Sequence, residues 1–246
     1  MGSEMCIRDR DVSIAKDRVA PDVSMTEDRG LLGLAVASGD RTFASWTDLA
    51  GDLVVSQVAP GPARIIWRAR TTSAKRVGGR LAMTPGGRLL VGVGDLGDGA
   101  KINDPNTING KFLTLDPGMN EGQAPNVISS GWSHPVAFAY DQESSLWVMD
   151  QGGGGAGRLT KVAASGARAE SVDIGESARP TGLSRFSQQE LIGCLAGTGE
   201  LKRYLLRDGR VTPGRTVARG CAEAVASFEN GRVAYATGSE IRLTAS

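Results

Sequence analysis

The sequence has little that would support metal or nucleic-acid chemistry. Its 246 residues include one histidine, His134, and three cysteines, with no CxxC pair and no His/Cys cluster at zinc-binding spacing. Twenty-eight basic side chains against 27 acidic ones leave a net charge of +1, which provides no electrostatic basis for binding nucleic acid or an anionic membrane surface. We therefore expect a small-molecule or protein partner and no transition-metal site.

Long apolar segments and aromatic residues are also scarce. No run approaches the roughly 18 to 20 consecutive apolar residues of a membrane span, so the sequence predicts no transmembrane helix. Aromatic side chains make up 5% of the chain, whereas glycine occurs 34 times. This composition is typical of many short strands joined by tight turns, and propellers and barrels of this length commonly form a single domain.

The first ten residues, MGSEMCIRDR, read as the in-frame translation of a sequencing adapter and are excluded from fold reasoning. We predict a single domain over residues 11–246 whose native N-terminus lies upstream, so a signal peptide cannot be observed. Cys6 falls in the excluded segment, which leaves Cys194 and Cys221 in neighbouring repeats. These two residues are compatible either with a disulfide in an exported protein or with two buried thiols.

A repeat with a period of about 45 residues organises the remaining chain, and such a period is the signature of a stacked or circular array. Each copy has an apolar strand of small residues, a turn, a second β-rich strand, a polar loop and a strand flanked by basic residues. The predicted strands are 31–38, 42–46 and 53–58; 79–84, 88–93 and 111–115; 135–140, 145–149 and 158–162; 181–186, 190–195 and 201–206; and 223–228, 232–237 and 240–243.

Alternation and turn chemistry support the repeat. Leu89, Val91 and Val93 alternate with Leu90 and Gly92, the period-2 pattern of a strand packed between two sheets. Turn formers separate the first and second strands of three copies, at Pro85-Gly86-Gly87, Glu143-Ser144 and Glu229-Asn230-Gly231. Five copies and one lost copy predict a six-bladed β-propeller of four-stranded antiparallel blades, present as a fragment that lacks most of its first blade.

The segment Gly92-Val93-Gly94-Asp95-Leu96-Gly97 satisfies the GxGxxG pattern of a dinucleotide-binding turn and follows a predicted strand. That pattern requires a helix whose N-terminus holds the pyrophosphate. Residues 98–106 are instead polar turn formers with a proline and no helical periodicity. We therefore interpret the glycines as a strand end and a loop on the rim of the propeller.

An ordered series of motifs resembles the soluble PQQ-dependent glucose/sorbosone (aldose sugar) dehydrogenase family. The resemblance extends from about Glu27 to the C-terminus, and it is the order and spacing of the pieces that make it specific. It implies a six-bladed propeller with the cofactor at one end of the ring, in agreement with the repeat count. The motifs are Gly30-Leu31-Leu32-Gly33-Leu34-Ala35, Gly78-Gly79-Arg80-Leu81, residues 85–95, residues 109–116, His134-Pro135 with Ala137-Phe138, and Leu146-Trp147-Val148.

This resemblance implies oxidation of a sugar hydroxyl at the anomeric carbon, with hydride passing to the quinone while a base takes the hydroxyl proton. In the family the base is a histidine two residues before a Gly-Gly or Ser-Gly pair, oriented by the aspartate that ends the following strand. The aspartate matches Asp95, but Arg76 occupies the histidine position. A guanidinium stays protonated and cannot act as a base. His134, which approaches the same end of the ring from the next blade, is the candidate for a displaced base.

The elements that would bind the cofactor and calcium by resemblance are also altered. The family's Arg-Asn-Pro element matches Ser133-His134-Pro135, so a charge-assisted donor to the quinone is lost. An Arg-x-Arg pair matches Arg219-Gly220-Cys221, which keeps one arginine. The calcium loop matches Asp150-Gln151-Gly152-Gly153, where Gln151 lies beside the cofactor and the backbone carbonyls of Gly152 and Gly153 would bind the ion.

Two hypotheses remain open. The chain is either a PQQ-dependent sugar dehydrogenase with His134 as its base, or a non-catalytic propeller that binds a ligand or protein partner at the same central site. Loss of the base and of the quinone-binding arginine favours the second, whereas a single axial pocket surrounded by His134, Arg76, Asp95 and Gln151 would indicate that a site persists. Family habit and a possible Cys194–Cys221 bridge predict a periplasmic or secreted protein; no oligomeric state is predicted.

Overall fold

The computed structural model describes residues 22–152, 156–228 and 231–245. Four features predicted from the sequence therefore lie outside the described residues: the adapter segment at residues 1–10, Cys6 within it, Gly153 of the predicted calcium loop, and Glu229-Asn230 of one predicted turn.

The described chain folds into five antiparallel sheets, numbered 1 to 5, in which the strands follow one another in chain order. Sheet 1 contains β1 (Leu31–Ala37), β2 (Arg41–Thr47), β3 (Asp52–Ala59) and β4 (Arg64–Arg70), and sheet 2 contains β5 (Gly78–Met83), β6 (Leu89–Val93), β7 (Lys111–Leu115) and β8 (Asn126–Ser130). Sheet 3 contains β9 (Pro135–Tyr140), β10 (Leu146–Gln151), β11 (Gly157–Val162) and β12 (Arg168–Gly175).

Sheet 4 contains β13 (Pro180–Ser187), β14 (Glu190–Leu195), β15 (Glu200–Arg207) and β16 (Arg210–Arg219), and sheet 5 contains β17 (Val225–Ser227), β18 (Arg232–Ala236) and β19 (Ile241–Ala245). Helical structure in the described ranges amounts to a 3₁₀ turn at Gly99–Lys101. No helix within those ranges is long and apolar enough to cross a membrane.

The innermost strands β1, β5, β9, β13 and β17 pack against one another in that order. The sheets are therefore arranged side by side around an axis, as the blades of a propeller are. The prediction of an all-β propeller with antiparallel blades is confirmed, whereas the sixth blade and the reading of the chain as a fragment stay predictions.

Apolar side chains that alternate along the middle strands fill the spaces between neighbouring sheets. Leu89, Val91 and Val93 of β6 are fully buried against sheet 1, and Leu90 points into the next interface, between sheets 2 and 3. The alternation predicted for this strand is therefore confirmed. Each such side chain contributes roughly 1.5–3 kcal/mol when fully buried, so packing between blades is the main stabilising interaction of the propeller.

Cys194 on β14 forms a disulfide with Cys221, which lies between β16 and β17. Of the two alternatives left open by the sequence, the structure thus shows the bridge. It links sheet 4 to the connection that leads into sheet 5, inside the apolar cluster between the two sheets, where both residues are buried.

Candidate axial site

A cavity of about 400 Å³ lies where the innermost strands β1, β5, β9 and β13 begin. We call it the axial cavity. Its volume lies within the range of roughly 300–1,000 Å³ that is usual for small-molecule sites. The charged and polar residues that line it are Asp28, Arg29, Arg80, His134, Gln151, Arg179 and Thr181. Three of these are arginines and one is acidic.

His134 is held by its backbone while its side chain stays available. Its N–H donates to Asp150 Oδ1 at 2.7 Å, and its carbonyl accepts the N–H of Gln151 at 3.0 Å. Among the described residues, none forms a hydrogen bond with the imidazole. The buried Asp150 also accepts the N–H of Ser133 at 3.3 Å, so one carboxylate fixes the backbone immediately before β9.

The electrostatic environment keeps the His134 imidazole neutral. Burial lowers the pKa of His134 below its usual value, and the cations Arg76 and Arg80 lower it further, against opposing effects of Asp28 and Asp95. A histidine with an unperturbed pKa near 6.5 is already mostly neutral at pH 7. The lowered pKa therefore leaves His134 able to accept a proton over a wider pH range.

Arg76 and Asp95 form an ion pair next to His134. Arg76 Nε donates to Asp95 Oδ1 at 2.7 Å, and the same oxygen accepts the N–H of Gly97 at 2.8 Å. Asp95 is 2% exposed and the Arg76 side chain 31% exposed. The Arg76 N–H donates to Asp28 Oδ2 at 2.6 Å. Asp95, which the sequence resemblance matches to the family's orienting aspartate, is thus paired with a guanidinium, and a guanidinium cannot act as a base.

Two glycines allow the Arg76 turn to lie against the end of β6. Gly78 has a φ of +73°, and a Cβ at Gly94 would overlap the carbonyl oxygen of Arg76. Strand β6 ends at Val93 and is followed by loop structure with the short 3₁₀ turn. The interpretation of the GxGxxG segment as a strand end and a loop, not a dinucleotide-binding turn, is therefore confirmed.

The remaining residues predicted near the cofactor fall in two places. The Ser133 carbonyl accepts the Asp95 N–H at 2.7 Å, and Gln151 lines the axial cavity at the end of β10. Gln151 therefore lies with His134 at the cavity, and Ser133 lies beside Asp95. Of the four residues expected around one axial pocket, His134 and Gln151 line the cavity, whereas Arg76 and Asp95 do not. Arg219 ends the outermost strand β16, with its side chain 75% exposed and 3.9 Å from Glu200, so the structure does not bring it to the axial cavity.

The predicted calcium loop is described only in part. The Gly152 N–H donates to the carbonyl of Ala156 at 3.0 Å, whereas Gly153 lies outside the described residues. Within the described residues, no group of three or more histidine, cysteine or acidic side chains could hold a metal ion. Calcium bound through backbone carbonyls, which does not depend on such a group, stays a prediction.

Arg29, Arg179 and Thr181 line the axial cavity but were not assigned to the site from sequence. Arg29 Nε and Thr181 Oγ1 are buried without a hydrogen-bond partner in the described structure. Unpaired donors together with cationic side chains fit an anionic ligand with several acceptor oxygens. Arg80 belongs to the Gly78-Gly79-Arg80-Leu81 motif, and its position on an innermost strand was the sequence feature that could have assigned it to the site.

The model of the Glucose / Sorbosone dehydrogenase family matches residues 7–166 of this chain. No curated protein sequence matches it. Among solved structures, the chain is similar to the PQQ-bound aldose sugar dehydrogenase of Streptomyces coelicolor, with a TM-score of 0.73 and 20% identity over 91% of this chain and 81% of that one.

Two further structures show the same fold. An oxidoreductase (glucose dehydrogenase) of Thermus thermophilus matches with a TM-score of 0.75 and 20% identity over 92% of this chain and 86% of that one. The soluble aldose sugar dehydrogenase of Escherichia coli, in its apo form, has a TM-score of 0.75 and 16% identity, with coverage of 92% and 85%. With a family model that spans most of its length, the chain belongs to the Glucose / Sorbosone dehydrogenase family.

Proposed function

We propose that the axial cavity is the active site of a PQQ-dependent sugar dehydrogenase in which His134 takes the place of the base that Arg76 cannot provide. The observation that carries this proposal is the position of His134, whose imidazole has no hydrogen-bond partner among the described residues and which lines the cavity. Family membership supports the reaction class, and the Streptomyces coelicolor relative is a PQQ-bound structure.

The cavity suits PQQ, a planar quinone that carries several carboxylates. Arg29 and Arg179 would bind those carboxylates, because both line the cavity and Arg29 Nε is buried without a partner in the described structure. Gln151 would contact the same ligand, and carbonyls of Gly152 and Gly153 would hold calcium. When bound, PQQ would supply the quinone that accepts a hydride from the sugar.

The residues of the chain would bind the sugar and move its proton. An imidazole nitrogen of His134 would accept the proton of the anomeric hydroxyl, and Asp150 would fix its position by holding the backbone N–H. The terminal guanidinium nitrogens of Arg76 have no hydrogen-bond partner among the described residues, so they can donate to sugar hydroxyls. Asp95 would hold Arg76 in place and balance its charge.

A second candidate function is ligand binding at the same site without oxidation. The observation that favours it is the Arg76–Asp95 ion pair, which joins the two residues that the sequence resemblance matches to the family's base and orienting acid. A six-bladed ring and a periplasmic or secreted location are further parts of the proposal. The Cys194–Cys221 bridge supports the location, because disulfides persist in oxidising compartments.

One experiment separates the two candidates. The chain would be incubated with PQQ and calcium, cofactor binding followed by absorbance, and aldose-dependent reduction of a dye measured in the same samples. The dehydrogenase proposal predicts saturable PQQ binding and sugar-dependent turnover. Binding without turnover would establish the second candidate, and absence of PQQ binding at micromolar concentrations would overturn the first. Gln142→Ala, at the opposite end of β9, serves as a matched surface control and should leave both readouts unchanged.

A further inference from the structure

A second, smaller cavity of about 130 Å³ continues from the axial cavity between strands β5, β9, β13 and β17. Arg80 of β5 and Thr181 of β13 line both cavities. They therefore stand at the junction of the two, which we call the waist of the axial channel. A ligand that enters through the axial cavity would meet these two side chains at its inner end.

Arg80 carries a charge that no described residue pairs. Its guanidinium forms no hydrogen bond or ion pair within the described structure, and Glu223 attracts it only through space. Burial lowers the pKa of Arg80, yet a guanidinium remains protonated. A partly buried cation without a partner destabilises the folded chain. An anion bound at the waist would offset this loss of free energy, because no described residue does so.

Thr181 has a second unused group beside the waist. Its Oγ1 is buried without a hydrogen-bond partner in the described residues, and buried hydroxyls are usually satisfied. The other residues that line the smaller cavity have apolar side chains or are glycine, and they include Leu81, Ala137 and Val225. One cation and one hydroxyl in apolar surroundings can bind a small group that has at least two acceptor oxygens.

We propose that Arg80 and Thr181 form a carboxylate-binding subsite at the waist of the axial channel, which receives the acidic end of a ligand bound in the axial cavity. The smaller cavity, of about 130 Å³, has the volume of roughly four water molecules, which is enough for a carboxylate and its attached carbon. The carboxylate belongs either to a sugar acid, such as a uronate or aldonate, or to the quinone cofactor. This inference rests on the proposed function because it takes the axial cavity as the ligand site. It does not require that the chain oxidises a sugar.

Ligand binding to the full chain tests the subsite without any turnover. Glucuronate, gluconate, glucose and PQQ would each be titrated by calorimetry and by thermal unfolding at constant ionic strength, with glucose as the uncharged match of the two sugar acids. We expect at least one carboxylate ligand to bind and raise the midpoint of unfolding. Arg80→Gln should weaken that binding about ten- to hundredfold, the range of a charge-assisted hydrogen bond, and Thr181→Val should weaken it less.

Three variants guard against a loss of folding being read as a loss of binding. Arg210→Gln removes an exposed arginine of β16 and should change nothing. Arg80→Gln should raise the unfolding midpoint of the ligand-free chain, because it removes an unpaired cation, whereas a purely structural Arg80 would give a lower midpoint. If Arg80→Gln does not fold, Arg80→Lys keeps the charge but loses the planar fork, and should still weaken carboxylate binding.

Each outcome decides the proposal. Arg80-dependent binding of the sugar acids identifies an acidic sugar as the source of the carboxylate, and Arg80-dependent binding of PQQ alone identifies the cofactor. No carboxylate binding, or equal binding by the wild type and Arg80→Gln, would overturn the subsite. Arg80-dependent binding in a chain that reduces no dye would overturn the dehydrogenase proposal alone. Glucose turnover that is unchanged in Arg80→Gln, with no carboxylate binding, would overturn the subsite alone.

Discussion

The Arg76–Asp95 ion pair should contribute more to stability than an exposed pair, and a double-mutant cycle can measure the difference. Asp95 is 2% exposed and Arg76 31% exposed, with 2.7 Å between Nε and Oδ1. Breaking a fully buried pair by removing one partner costs about 3–5 kcal/mol. Because Arg76 is partly solvated and Asp95 keeps the hydrogen bond from Gly97, we expect a coupling free energy of about 1–3 kcal/mol.

The cycle would use Arg76→Leu, Asp95→Asn and the double variant, with the free energy of unfolding taken from urea titrations. Arg76→Leu should be the most destabilising of the three, since it leaves a buried carboxylate without its cation. The Lys101–Asp98 pair provides the control, because its atoms are 3.1 Å apart but its side chains are 48% and 41% exposed; such pairs contribute about 0.2–1 kcal/mol. A coupling at Arg76–Asp95 no larger than at Lys101–Asp98 would refute the reasoning.

Three other perturbations have defined outcomes. The pKa of His134 is lower in the folded chain than in the unfolded chain, so between these two pKa values the unfolded chain binds more protons. This group therefore makes the free energy of unfolding fall as the pH drops below about 6.5. His134→Gln should reduce the dependence of the free energy of unfolding on pH, and an unchanged dependence would contradict the shift. The buried Lys111 ammonium donates to two backbone carbonyls, so Lys111→Met should cost about 1–3 kcal/mol in urea titrations, and a cost near zero would show that the carbonyls find other donors. The double variant Cys194→Ser with Cys221→Ser should lower the free energy of unfolding by about 2–4 kcal/mol. A reductant should lower the free energy of unfolding of the wild type but not that of this variant. If a reductant affects both proteins equally, the bridge is not the cause of the difference.

The inner strands could be predicted from sequence because each lies between two apolar layers. The alternation of Leu89, Leu90 and Val91 corresponds directly to the two interfaces on either side of β6, and every predicted strand matches an observed one. The outermost strands β4, β8, β12 and β16 were not located individually. Strand β12, with the sequence RAESVDIG, has exposed residues in alternation with partly buried ones, so its polar composition resembles that of a loop.

Site residues that lie at the ends of strands could be predicted from the sequence. Site residues that reach the cavity only because neighbouring blades pack together could not. His134 immediately precedes β9 and Gln151 ends β10, and the motif order of the family located both. Arg29 reaches the cavity from the loop before β1, and Thr181 enters it from β13. Their sequence surroundings hold no motif, and only the arrangement of neighbouring blades brings them together. Arg219 shows the converse: a motif match in the last repeats lies on an outer strand.

The central claim is that His134 accepts the proton of the sugar hydroxyl. Sugar-dependent turnover of the PQQ-loaded chain, measured with and without the His134 side chain, tests it most directly. A general base contributes about 10²–10⁴-fold to a rate, so His134→Ala should lower kcat by that factor while PQQ binding by absorbance stays within about twofold of the wild type. Turnover that persists unchanged in His134→Ala would contradict the claim and leave the axial cavity without an identified base.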